Sequence, residues 1–139
     1  AGGASNDYLS GLAGSATRSR GAGIDRLAGG QGADVMTGGG GRDVFIWLAG
    51  DHTGGPDTIT DFQTGIGGDA GDVSGLLTGF DAQASILSDF VRISSTNPQL
   101  IQIDVDGAVG GHNFVDLATL QGTAGLNVEI MRQNGNLIV

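Results

Sequence analysis

Carboxylates recur along this chain at fixed distances. Asp7, Asp25, Asp34 and Asp43 fall on a nine-residue grid, with Ala16 at the one grid point that lacks an acid. Asp57 and Asp61 follow within Asp57-Thr-Ile-Thr-Asp61-Phe62. The chemistry open to such a set is the binding of a hard cation. Asp is the shorter carboxylate and suits tight turns and oxygen-ligand sites. The 139 residues include 14 Asp but a single Glu, Glu129, whereas a generic solvated acidic surface would use both. All six basic residues are Arg, and the net charge is −9. That balance disfavours nucleic acid and anionic membrane surfaces and favours a cation as partner.

The grid belongs to a longer repeat. Five units run without a gap from Gly2 to Ile46: GGASNDYLS, GLAGSATRS, RGAGIDRLA, GGQGADVMT and GGGGRDVFI. Position one holds Gly2, Gly11, Arg20, Gly29 and Gly38, and position two Gly3, Leu12, Gly21, Gly30 and Gly39. Position four holds Ser5, Gly14, Gly23, Gly32 and Gly41. Position six is the Asp column, and position eight holds Leu9, Arg18, Leu27, Met36 and Phe45. Each column keeps its residue type in four units of five. A flexible Gly/Asp linker needs neither this register nor an apolar column. The Gly38–Gly41 run lacks the Lys-Ser/Thr and the strand–helix context of a phosphate loop. With 28 Gly, the chain carries a large ordering entropy that something must offset.

The repeat resembles the RTX nonapeptide, G-G-x-G-x-D-x-U-x with U apolar, a calcium-binding β-helix pattern. The resemblance implies a roll in which six residues form a Gly-rich turn and three a short strand. Two units then make one rung, and rungs stack at the parallel strand spacing of about 4.8 Å. Units one, three and five share one edge, pairing Asp7 with Asp25 and Asp25 with Asp43. Units two and four share the other, where Ala16 cripples the site facing Asp34. The Asp carboxylates and the carbonyls around Gly21, Gly23, Gly30, Gly32, Gly39 and Gly41 would enclose several Ca²⁺ ions, each wanting six to eight oxygens. Arg18 brings a charge to the inward column, so unit two is expected to splay or loop out, and Arg20 fits position one poorly. The chain starts inside a repeat, as an excised fragment would.

Val44–Leu48 is apolar on both faces and reads as a buried strand closing the roll, with Trp47 as packing. Asp57-Thr-Ile-Thr-Asp61-Phe62 and Gly68-Asp-Ala-Gly-Asp72-Val-Ser-Gly-Leu-Leu77 resemble the elements that follow the last repeats of type I secreted RTX proteins. Gly71 stands where that family has Leu. Asp57 and Asp61 share a face and serve either a terminal Ca²⁺ or a solvated, turn-capping role. Asp69 and Asp72 are expected to cap the turn at Leu76–Leu77. Strands are expected at Phe90–Ser94, Leu100–Val105, Asn127–Met131 and Asn136–Val139, with Val115–Leu120 a strand or a helical turn and Asn134-Gly135 a hairpin turn. Asp104-Val-Asp106-Gly107 fails as an EF-hand, because Gly comes too early and no Glu sits at the twelfth position. The expected fold is all-β: a parallel β-roll over residues 1–50, then a small, mainly antiparallel β cap over 51–139 with its own core.

Enzyme readings find no support. There is no His-Glu-x-x-His, no nucleophile elbow and no Cys, and His52 and His112 are isolated. No apolar run approaches transmembrane length. The resemblance implies a secreted or cell-surface bacterial protein, expected to be monomeric, whose calcium roll folds after export by a type I ABC transporter complex. It places an uncleaved secretion signal at the C-terminal end, around Leu126, Leu137, Ile138 and Val139. The order of Asp-Val-Asp-Gly, Phe114–Gly122 and the closing Asn-Gly-Asn-Leu-Ile-Val is similar to the ends of giant RTX adhesins. The alternatives are a ligand-binding adhesin tip, or the C-terminal arm of a secreted protease, lipase or epimerase.

Overall fold

A computed structural model describes residues 4–11, 13–95 and 99–139. Gly2, Gly3 and Leu12 of the repeat lie outside the described residues, and so does the side chain of Arg18.

Each repeat unit contributes one three-residue strand: β1 (Tyr8–Ser10), β2 (Thr17–Ser19), β3 (Arg26–Ala28), β4 (Val35–Thr37) and β5 (Val44–Ile46). They are followed by β6 (Asp57–Ile59), β7 (Ala70–Asp72), a 3-10 turn (Leu87–Asp89), β8 (Val91–Ile93), β9 (Gln99–Ile103), β10 (Val115–Leu120), α1 (Val128–Asn134) and β11 (Leu137–Ile138). The strands alternate between two sheets, one ordered β1-β3-β5-β7-β11 and the other β2-β4-β6-β10-β9-β8. The first is parallel throughout. The second is parallel from β2 through β6 to β10 and antiparallel across β10, β9 and β8. Units one and two take part, with Tyr8 opposite Arg26 and Thr17 opposite Val35. The expected splaying of unit two does not occur, because β2 pairs along its full length with β4.

Alternation along each strand decides what faces inward. The position-eight residues Leu27, Met36 and Phe45 are fully buried between the sheets. Ile59 and Leu120 continue the column in register with Met36, whereas Gly71 stands opposite Phe45. The indole of Trp47 fills the space left by the missing side chain, passing 3.4 Å from where a Gly71 Cβ would sit. Trp47 is fully buried, as its packing role requires, while Leu48 turns outward.

The C-terminal half corrects the sequence reading in three places. Asn127–Met131 is not a strand but the cap and first turn of α1. The Asn127 side chain accepts N–H bonds from Glu129 and Ile130, which fixes a helix start that β-branched neighbours had masked. Asn134-Gly135 is the end of that helix rather than a hairpin turn, with Gly135 left-handed at φ 79°. Nor does the cap have its own core. One apolar cluster runs from Leu27, Met36 and Phe45 through Ile101, Ile103 and Leu120 to Met131 and Leu137. Val115–Leu120 is a strand, and Asp104–Gly107 opens the connection from β9 to β10. Among the described residues, no helix is long and apolar enough to cross a membrane.

Candidate metal centre

The stacked turns line up their Asp residues into two ladders. On one edge, the Asp7 N–H donates to Asp25 Oδ1 (2.8 Å), the Asp25 N–H to Asp43 Oδ1 (2.9 Å) and the Asp43 N–H to Asp69 Oδ1 (2.9 Å). On the other edge, the Ala16 N–H donates to Asp34 Oδ1 (2.9 Å) and the Asp34 N–H to Asp57 Oδ1 (2.8 Å). Each carboxylate thus ties its rung to the preceding one. The pairs Asp7/Asp25 and Asp25/Asp43 are brought together as the spacing predicts, and Ala16 does face Asp34.

Asp69 is a ladder member that sequence reasoning missed. It was expected to cap a turn, but it is buried and accepts from Asp43 and from the Gln63 N–H (2.8 Å). Asp72 does behave as a turn cap, accepting from the N–H and hydroxyl of Ser74. The signal for Asp69 was a Gly-Gly-Asp at residues 67–69, displaced from the nine-residue grid.

The two ends of the carboxylate sets are closed differently. Asp57 Oδ2 accepts the Trp47 indole N–H at 2.7 Å. Asp61, half-buried rather than solvated, accepts the N–H groups of Gly38 (3.0 Å) and Gly39 (2.7 Å). The glycine run that lacks a phosphate-loop context therefore does hold an anion, a carboxylate of the same chain. In the interior, Asp25 and Asp43 are fully buried, and the Oδ2 atom of each has no hydrogen-bond partner among the described residues. A buried carboxylate oxygen without a donor is strongly disfavoured unless a cation meets it.

Burial pushes the Asp57 carboxyl up to about 6, against the opposing pull of the Asp34 N–H and the Trp47 indole. Burial also raises Asp43; the Asp25 N–H pulls it back, and the charges of Asp25 and Asp61 push it further up. Asp69 is raised in the same way, with N–H groups of Asp43 and Gln63 opposing and the charges of Asp43 and Asp61 reinforcing.

The turn backbone closes around these groups. Gly39 and Gly41 have φ of 102° and 124°, and a Cβ on either would run into the carbonyl oxygen of Gly21 or Gly23 in the rung beneath. The carbonyls of Gly21 and Gly23 therefore lie directly under the next turn. Gly32 rests in the same way on the backbone of Gly14, and Gly30 lies half-buried beside it. Among the described residues, no three carboxylate or imidazole side chains converge on one point. A cation here would draw most of its oxygens from turn carbonyls, with one or two carboxylates supplying charge. Such a donor set, all oxygen and flexible, fits Ca²⁺.

His112 stands apart from the ladders. His112 stacks on Phe114, with centroids 5.7 Å apart, and lies 3.9 Å from Asp89 at the surface. The residues expected to carry an export signal are built into the fold. The Leu126 N–H donates to Gln99 Oε1, Leu137 is buried in β11, Ile138 is partly exposed, and Val139 packs against the core.

The AlgE6R3 subunit of the Azotobacter vinelandii mannuronan C5-epimerase has a similar structure. It aligns over 98% of this chain and 80% of its own length, with 22% identity and a TM-score of 0.55. The AlgE6R2 subunit of the same enzyme aligns over 91% and 87%, with 23% identity and a TM-score of 0.39. A search of curated protein sequences finds no significant match. The profile of the C-terminal region of the serralysins, peptidases of family M10, matches residues 4–134, and so takes in both ladders, α1 and the shared core. By that match the chain belongs to the peptidase M10 serralysin C-terminal family.

Proposed function

We propose that this chain is a calcium-dependent folding and export module at the C-terminal end of a type I secreted bacterial protein, without catalytic activity of its own. The observation that carries this reading is the pair of fully buried oxygens on Asp25 and Asp43, without a donor among the described residues, in a stack of glycine turns whose backbones approach one another closely. Asp25, Asp34 and Asp43, with the carbonyls around Gly21, Gly23, Gly30, Gly32, Gly39 and Gly41, would hold several ions, and Asp7 begins the same ladder by donating its N–H to Asp25. Asp57 and Asp61 are closing members of the set, since their oxygens already accept protein N–H groups.

Calcium supplies the positive charge that makes the buried carboxylates tolerable. The chain supplies the rest: N–H groups that orient each carboxylate, glycines that let carbonyls approach, and an apolar column that closes once the turns stack. Extracellular calcium modules bind at roughly 10⁻⁴–10⁻³ M. At cytosolic calcium the sites would stay empty, and carboxylate repulsion with glycine entropy would keep the chain open for export. Outside, binding free energy becomes folding free energy. Leu126, Leu137, Ile138 and Val139 would act as the secretion signal while the chain is open, and all but Ile138 pack with the core once it closes.

The passenger is a large adhesin on the similarity of the closing motifs. The peptidase family match favours a second reading, the C-terminal arm of a secreted enzyme. The sequence upstream of the chain separates the two. Far-ultraviolet circular dichroism during a calcium titration, with magnesium as control, tests the module itself. A disordered spectrum turning β-rich only with calcium is the expected result. A chain equally folded in chelator overturns the proposal.

A further inference from the structure

Arg20 breaks the repeat at position one, where the other four units have glycine. That position faces carboxylates. A Cβ on Gly29 would stand 2.7 Å from Asp34 Oδ2, and one on Gly38 would collide with Asp43 Oδ2. In unit three the side chain is real, and it reaches back to unit one. Its Nη1 lies 3.6 Å from Asp7 Oδ2, and its Nη2 donates to the Tyr8 carbonyl at 3.2 Å. The side chain is only 12% exposed, and its Nε is buried without a hydrogen-bond partner among the described residues. A second contact works on the same step: the Asn6 side chain accepts the Ile24 N–H at 2.7 Å, tying the two turns together directly.

We propose that the Arg20 guanidinium is a tethered cation that takes the place of calcium at the Asp7 step of the ladder. The inference rests on the calcium reading above. A guanidinium is always charged and, once the turn forms, is already at the carboxylate, so no ion need be captured. Its charge also repels a divalent ion from the same oxygens. The next step differs: Gly38 leaves position one open, and Asp25 and Asp43 keep their donorless oxygens. Unit one therefore docks on unit three without calcium, whereas unit five docks on unit three with it.

The test is the calcium stoichiometry of the full chain, by equilibrium dialysis with atomic emission, alongside circular dichroism to confirm folding. Arg20→Gly should bind one more calcium per chain than the unsubstituted protein. Arg20→Lys should bind the original number. Asp7→Asn should leave the number unchanged in the Arg20 background and remove the extra ion in the Arg20→Gly background. Should Arg20→Gly not fold, Asp7→Asn alone decides: loss of one ion from the Arg20 protein overturns the inference. An Arg20→Gly chain that folds and binds no additional calcium overturns it too, leaving the calcium reading intact. A protein that binds no calcium at all overturns both.

Discussion

The interior and closing rungs of the roll use the same residue in the same register to opposite effect. Asp25 and Asp43 each give one oxygen to a backbone N–H and leave the other buried with no donor among the described residues. Asp57 and Asp69 sit one rung further on, equally buried, but the Trp47 indole and the Gln63 N–H fill the second oxygen. The difference lies in neighbouring groups. A buried carboxylate asks for an external cation or for a local donor, and Asp57 and Asp69 find that donor within the chain.

The sharpest way to break this contrast is to remove the donor that also packs. Trp47→Ala should lose the indole bond and open a cavity over Gly71, lowering stability by about 3–5 kcal/mol in saturating calcium, read as a reduced urea midpoint. Trp47→Phe keeps most of the volume and isolates the donor; a loss of about 1–2 kcal/mol is expected.

Asp43→Asn should move the calcium midpoint for folding upward about tenfold, on the order of 1.4 kcal/mol, and reduce the number of bound ions. Asp69→Asn should lower thermal stability and leave the number of ions unchanged. Equal ion loss from both would erase the distinction between interior and closing rungs.

Acidity sharpens the comparison from another side. Asp43, Asp57 and Asp69 are raised in the folded chain, so the fold binds protons more readily than the unfolded chain does. Stability without calcium should therefore fall as pH rises from about 4, near the unfolded value, through about 6. Chelated protein should be more folded at pH 5 than at pH 7 by circular dichroism, and Asp57→Asn should flatten that dependence. The smallest effect is expected at Gly71→Ala. The new methyl would meet the Trp47 ring at 3.4 Å, an ordinary contact, so the change in stability should stay within about 0.5 kcal/mol.

What the sequence made legible follows from spacing. Asp7, Asp25 and Asp43 are 18 residues apart, so the grid named both their sheet and their partners. The closing rungs keep the geometry and lose the spacing: Asp34 to Asp57 is 23 residues and Asp43 to Asp69 is 26. Insertions in the turns bulge outward without disturbing the strands, so Asp69 looked like a turn cap. The Leu missing at Gly71 and the packing of Trp47 are one feature, visible only when the sheet brings them together. The helix α1 was hidden because Val and Ile in its first turns read as strand, while its start depends on the single side chain of Asn127.

The ladder also governs how the molecule answers to force. Each repeat rung is bonded to the next through backbone pairs and a carboxylate on each edge. Tension applied at the amino-terminal end would load one rung at a time instead of shearing a whole sheet. Each of the first two releases would pay out 18 residues, an extension of about 60 Å, before the next rung took the load. At the other end β11 is pinned beside β7 by Asn136, whose side chain grips Gly65 and Asp69. A protein carrying this segment would lengthen in steps under tension and rewind when the pull relaxed.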